Sequence, residues 1–125
     1  MSKKILIVDD DPQYREATTT MLEAKGYEVF TAKNGQEGFD KAIQIMPHLI
    51  LLDVMMTHKS EGFDIARNLR QSEAKNIPVI IVTGVRKEMS LPFGFQPDDD
   101  WLPVKAVLEK PVKPEMLLDA ISQHI

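Results

Sequence analysis

The sequence predicts an α/β fold built on a doubly wound parallel sheet, and three observations carry that prediction. Four short aliphatic runs, at residues 5–8 (ILIV), 49–52 (LILL), 79–82 (VIIV) and 106–108 (AVL), are continuous rather than alternating. Strands covered by helices on both faces read that way. Segments with helical spacing separate most of these runs, and strand–helix alternation is the pattern of a parallel sheet. A fifth run, at 27–32 (YEVFTA), alternates and belongs nearer a sheet edge. The 125 residues show no internal repeat and no linker, so one domain over 1–125, with no separate output domain, is expected.

In chain order, 5–8 opens the sheet. Pro12 starts the first helix, because proline is tolerated at a first helical position. Tyr14, Ala17, Met21 and Leu22 then recur at helical spacing, and Gly26 ends the helix. After the run at 27–32, Asn34-Gly35 marks a turn, and 36–46 reads as a second helix stopped by Pro47. Residues 61–71 give a third, with Phe63, Ile65, Ala66 and Leu69. After 79–82 the pattern breaks. Residues 86–105 (RKEMSLPFGFQPDDDWLPVK) contain Pro92, Pro97 and Pro103, which leave no room for a full helix. Two parallel strands still need a crossover of about a dozen residues. The expectation is therefore mostly loop with one helical turn near 86–90, a fourth helix that is short or missing. Loops of this length in compact domains are usually functional or mobile. Residues 114–124 supply the last helix, with Met116, Leu117, Ala120 and Ile121.

Composition narrows the function classes. With 43% hydrophobic residues and mixed charges the chain is globular in type. Net charge is −4 and the basic residues are scattered, which argues against direct nucleic-acid binding. The absence of cysteine excludes disulfides and thiolate metal sites. The apolar runs are too short to span a membrane. The start, MSKKILIVDD, lacks the apolar length and cleavage site of a signal peptide. A cytoplasmic location is the simplest expectation.

Sites in open α/β sheets form beyond the carboxyl ends of the strands. Asp9 and Asp10 follow the first aliphatic run, Asp53 the second, Thr83 and Gly84 the third, and Glu109, Lys110 and Pro111 the fourth. Asp9, Asp10 and Asp11 pose an electrostatic problem. At about 4 Å and an effective dielectric of about 20, each close pair of carboxylates costs roughly 4 kcal/mol. Either they point apart into water or they share a cation. Mg2+ prefers oxygen ligands, keeps several waters and needs only a few carboxylates. Asp10, Asp53 and the backbone carbonyl of Met55 could supply them, with Asp9 close by, directly or through water. Asp11 is expected to face solvent and cap the first helix. A carboxylate beside Mg2+ can also be a nucleophile toward a phosphoryl group. Such a transfer needs positioning and charge neutralisation more than covalent help. Lys110 would neutralise phosphoryl oxygens, the Thr83 hydroxyl would hydrogen-bond another, and Gly84 would keep the approach open.

The stretches ILIVDDD, LILLDVMM, VIIVTG and VLEKPV, in this order and over nearly the whole chain, resemble the receiver domain of two-component response regulators. The resemblance implies a flavodoxin-like, five-stranded parallel sheet in the order 2-1-3-4-5 and phosphorylation on aspartate by a histidine kinase or a phosphotransfer protein. Carried over by position, Asp53 looks like the phosphoacceptor and Asp9 and Asp10 like the acidic pair at the metal, with Asp10 the direct ligand. Thr83 looks like the switch hydroxyl, Lys110 like the family's lysine, and Lys110-Pro111 like its cis peptide. A domain of this kind catalyses only its own aspartyl phosphorylation and dephosphorylation, and signals through contacts with a downstream protein.

The chain departs from the family pattern in three places. Thr57 stands where a proline is usual, in a loop that reads one residue longer, THKSEGFD, with Glu61-Gly62 preserving the turn. Val107 stands where the rotating aromatic of the switch is usual. The fourth helix is broken, and the spacing from Thr83 to Lys110 is long. A phosphorylation-independent adaptor on the same fold is the alternative these departures favour, while the complete set of Asp9, Asp10, Asp53, Thr83 and Lys110 opposes it. A flavin phosphate would be repelled by Asp9, Asp10 and Asp11, and an aspartyl-phosphate phosphatase would need an acid where Met55 stands. Singly, each residue has an ordinary structural role, Thr83 as a β-branched strand residue and Lys110 as a surface cation; it is their joint placement at successive strand ends that points to a site. His48, His58 and His124 lack metal-ligand spacing and read as surface or strand-edge residues. Asp98, Asp99 and Asp100 read as a solvated acidic turn anchored by Trp101, the lesser alternative being a partner-docking patch of Trp101, Phe93 and Phe95.

Overall fold

A computed structural model describes residues 3–53, 68–69, 71–73, 75–83, 106–109 and 113–125; of Thr83 and residues 106–109 it describes the backbone. The first strand, β1 (Lys4–Val8), pairs in parallel with β2 (Glu28–Ala32) on one side and β3 (Leu49–Leu52) on the other. β3 pairs in parallel with β4 (Val79–Thr83). The backbone of β5 (Ala106–Glu109) runs parallel to β4, with Thr83 opposite Glu109. Ile5 to Val8 and Leu49 to Leu52 are all buried, which is why these runs are aliphatic at every position. β2 holds the outer position beside β1 and is only partly buried, as its alternation predicts.

The two faces of the sheet carry separate cores. Leu6, Val8, Ile50, Leu52, Val79 and Ile81 face one way, with Ala42, Phe39 and Ile43 of helix α2 (Gly35–Ile45) packed on them. Ile5, Ile7, Leu49, Leu51, Ile80 and Val82 face the other way. They are covered by Leu22 of helix α1 (Pro12–Ala24) and by Leu117 and Ile121 of helix α3 (Pro114–His124). Each such fully buried aliphatic side chain contributes about 1.5–3 kcal/mol relative to exposure. This two-faced burial is the doubly wound arrangement that the continuous runs predict.

Local chemistry fixes the helix ends near the strand tips. Asp11 is the N-cap of α1, its Oδ1 accepting from the N–H of Gln13 at 2.9 Å, and Pro12 takes the first helical position. Asn34 caps α2 in the same way, accepting from the N–H of Glu37 at 2.8 Å. Gly26 has φ +93, in the left-handed region that glycine enters without strain, and turns the chain from α1 into β2. Helix α2 spans Gly35–Ile45 rather than 36–46, because Met46 leaves the helix in a left-handed conformation, φ 50 and ψ 63, before Pro47 is reached. The strands run one residue past the aliphatic runs at Thr83 and Glu109, whose backbones pair with each other. Asn68 and Leu69 are helical and Leu69 is buried, within the helix expected at 61–71; the rest of that segment, apart from the turn at Gln71, and the crossover at 86–105 lie outside the described residues. Among the described residues no helix is long and apolar enough to cross a membrane.

Candidate functional site

The carboxyl ends of β1 and β3 lie side by side, since Val8 pairs with Leu52. Asp9 and Asp53 are therefore the next residues on neighbouring parallel strands. The ladder continues through them: the N–H of Asp53 donates to the carbonyl of Val8 at 2.9 Å, and the N–H of Asp9 donates to the carbonyl of Ala32 at 3.1 Å. Neighbouring strands are about 4.8 Å apart, so adjacent strand ends bring two carboxylates close without special design. Asp10 joins them from the turn between β1 and α1. One carboxylate oxygen from each of Asp9, Asp10 and Asp53 lies within 4.8 Å of the others. Asp9 and Asp53 are buried, and Asp10 is exposed.

At that separation and an effective dielectric of about 20, each pair of charges repels by about 3.5 kcal/mol. The backbone offsets part of this. Oδ1 of Asp9 accepts the N–H of Asp11 at 2.9 Å, a local side-chain-to-backbone bond across the turn. Arg15, one helical turn into α1, donates from Nη1 to the backbone carbonyl of Asp9 at 2.7 Å. The three adjacent aspartates thus divide their tasks. Asp9 is built into the turn, Asp10 presents its carboxylate to solvent beside Asp53, and Asp11 caps the helix.

The donor set fits a hard divalent cation. Oxygens that share a Mg2+ at about 2.1 Å lie no more than about 4.2 Å apart, a span that modest side-chain rotation reaches from the observed cluster. All three donors are carboxylates, and one is open to solvent, which leaves room for the waters Mg2+ retains. Of the other residues singled out in the sequence, Thr83 ends β4, two residues past Ile81, which pairs with Leu52. Its backbone therefore stands at the same edge of the sheet as Asp53. Val107 pairs with Ile81 in β5. Met55, Thr57, Gly84, Lys110 and Pro111 lie outside the described residues. Arg15 is the participant that the sequence reading missed. Its signal was a cation four residues after the N-cap, at the spacing that brings it back over the turn.

Residues 5–122 match the response regulator receiver domain family. The chain belongs to that family. Its parallel sheet, buried on both faces, is the fold of a receiver domain in two-component signalling. The chain is 38% identical over 120 residues to the protein PilH of Pseudomonas aeruginosa, covering 95% of this chain and 94% of that one. It is also 38% identical over 101 residues to the DNA-binding dual master transcriptional regulator RpaA of Synechocystis, covering 79% of this chain but 42% of that longer protein. The chain thus spans less than half of some of the regulators it matches and nearly all of others.

The receiver domain also superimposes on solved structures. The chemotaxis protein CheY4 of Vibrio cholerae gives a TM-score of 0.85 at 30% identity, with 100% of both chains covered. The response regulator TrrA of Thermotoga maritima, crystallised in complex with Mg2+ and BeF, gives 0.81 at 27% identity, covering 98% of this chain and 99% of that one.

Proposed function

We propose that this receiver domain accepts a phosphoryl group on Asp53 from a histidine kinase or a phosphotransfer protein, with Mg2+ as the cofactor, and passes the signal on through protein–protein contacts. The observation that carries the reading is the convergence of Asp9, Asp10 and Asp53 within 4.8 Å at the ends of two paired parallel strands. In this reading an Asp53 carboxylate oxygen attacks phosphorus. The bond from phosphorus to the donor's nitrogen or acyl oxygen breaks, and the donor leaves with that electron pair. Asp10, Asp53 and the carbonyl of Met55 would hold the Mg2+, with Asp9 beside it. The bound cation supplies charge neutralisation for the phosphoryl oxygens. Lys110 contributes the second positive charge, and the Thr83 hydroxyl donates to a phosphoryl oxygen. The sheet would be complete in the order 2-1-3-4-5, in one domain over residues 1–125 acting in the cytoplasm. The only chemistry it would catalyse is its own phosphorylation and hydrolysis.

Intact mass after incubation with Mg2+ and acetyl phosphate tests this directly. A gain of one phosphoryl group that requires Mg2+ and disappears in Asp53→Asn is the expected result. No gain in a folded protein that binds Mg2+ would overturn it. One observation favours a second reading: Val107, at the position of the family's usual aromatic, is a small aliphatic that cannot perform the same rotation. A phosphorylation-independent adaptor on the receiver fold would give that negative result.

A further inference from the structure

Arg15 grips the acidic turn at two points. Its main-chain N–H donates to the carbonyl of Asp11 at 3.0 Å, closing the first turn of α1, and its side-chain Nη1 donates to the carbonyl of Asp9 at 2.7 Å. Asp10 is the residue between those two carbonyls. Asp10 is also the exposed member of the carboxylate cluster, so burial does little to fix its place. Asp9 needs no such help, because its N–H is bound to Ala32 and its Oδ1 to the N–H of Asp11. The guanidinium donates here to a carbonyl, and a bond from a charged donor is shorter and stronger than a neutral one.

We propose that Arg15 is a positioning residue for the metal site: by binding the carbonyl that immediately precedes Asp10, while the helix bond of its own N–H fixes the one that follows, its guanidinium holds the exposed carboxylate toward Asp53. This rests on the reading of Asp9, Asp10 and Asp53 as a Mg2+ site. Two effects of the side chain oppose each other. Its positive charge disfavours a cation nearby, whereas its clamp removes the freedom that Asp10 would otherwise lose on binding. The charge is partly solvated and screened, while misplacing one of a few ligands acts on the coordination itself. The clamp therefore dominates.

The test is Mg2+ affinity by calorimetric titration of the whole chain, with no phosphodonor, for the wild type, Arg15→Ala and Arg15→Lys, each checked for native circular dichroism at the titration temperature. The expected result is about a tenfold loss of affinity in Arg15→Ala, in line with the loss of a group that orients a metal ligand. Arg15→Lys, which keeps the charge and carries its donor on a stem one bond shorter, is expected to recover part of it. A residue that served only to stabilise the helix would lower the unfolding midpoint and leave the affinity of the folded protein unchanged. Equal or tighter binding in Arg15→Ala overturns the proposal, as does Arg15→Lys binding no better than Arg15→Ala. Absence of Mg2+ binding in the wild type would instead remove the metal-site reading itself.

Discussion

A Cβ on Gly38 would lie 2.7 Å from Cγ2 of Val8, closer than packed carbons tolerate. Helix α2 therefore rests directly on the last residue of β1, the one immediately before Asp9. Gly38→Ala is expected to destabilise the domain: overpacking of this kind costs about 1–3 kcal/mol, and the better helix propensity of alanine returns no more than about 1 kcal/mol. Val8→Ala alone should cost about 2 kcal/mol. The double variant is expected to cost less than the sum by about 0.5 kcal/mol or more, because the truncated side chain makes room for the new methyl. Urea unfolding of the four proteins measures this, and strict additivity would show that the two residues do not press on each other.

The carboxylate cluster should make stability depend on Mg2+ with an inversion between variants. Without Mg2+, Asp10→Asn and Asp53→Asn each remove one member of a mutually repelling set, and each is expected to raise stability by on the order of 1 kcal/mol. With Mg2+ at about 100 times its dissociation constant, the wild type gains about 2.7 kcal/mol. The variants bind more weakly and gain less, so the order reverses. Thermal melts with and without Mg2+ decide it. Parallel curves at both conditions would mean that the three carboxylates do not share a cation.

Asp11 should separate from its two neighbours. Its Oδ1 caps α1 through the N–H of Gln13, so Asp11→Ala is expected to cost about 1 kcal/mol of stability. Asp11→Asn keeps an accepting oxygen and should cost only a few tenths. Neither substitution should change Mg2+ affinity by more than about threefold, since this carboxylate is exposed and its charge is screened. A larger change would place Asp11 among the ligands.

Met46 sets backbone strain against packing. It is a non-glycine residue in the left-handed region, at the C-cap of α2, and 44% exposed. The strain of that conformation is about 1–2 kcal/mol for a residue with a Cβ, and the half-buried side chain contributes apolar contact of similar size. Met46→Gly is therefore expected to change stability by less than about 1 kcal/mol, where an ordinary truncation of a buried methionine costs about 2–5 kcal/mol. A loss of that larger size on urea unfolding would show that the conformation carries no strain to relieve.

The parts of the fold that were legible in the sequence are those where burial dictates composition. ILIV and LILL are buried at every position, so no polar residue interrupts the signal. Asp9, Asp10 and Asp53 were legible because charge directly after an aliphatic run has few structural uses. The exact end of α2 was not, since Pro47 marks the stop while the turn itself is made by Met46, whose backbone state leaves no mark in its chemistry. Gly38 was passed over because an isolated glycine in a helical stretch does not say what it approaches. Arg15 escaped because its partner is a backbone carbonyl, and every residue has one.

The ladder bonds that carry β1 and β3 into the site also give it a clock. The amide hydrogens of Asp9 and Asp53 point into the sheet, toward Ala32 and Val8, while the Asp10 side chain is open to water. In deuterated solvent those two amides exchange only when the strand ends separate. Their exchange times therefore report how often the acidic pocket comes apart, and they lengthen when an ion that binds only the closed pocket is present. A pocket whose walls are the last rungs of a buried sheet opens rarely, and the timing of its opening is set by the aliphatic core beneath it.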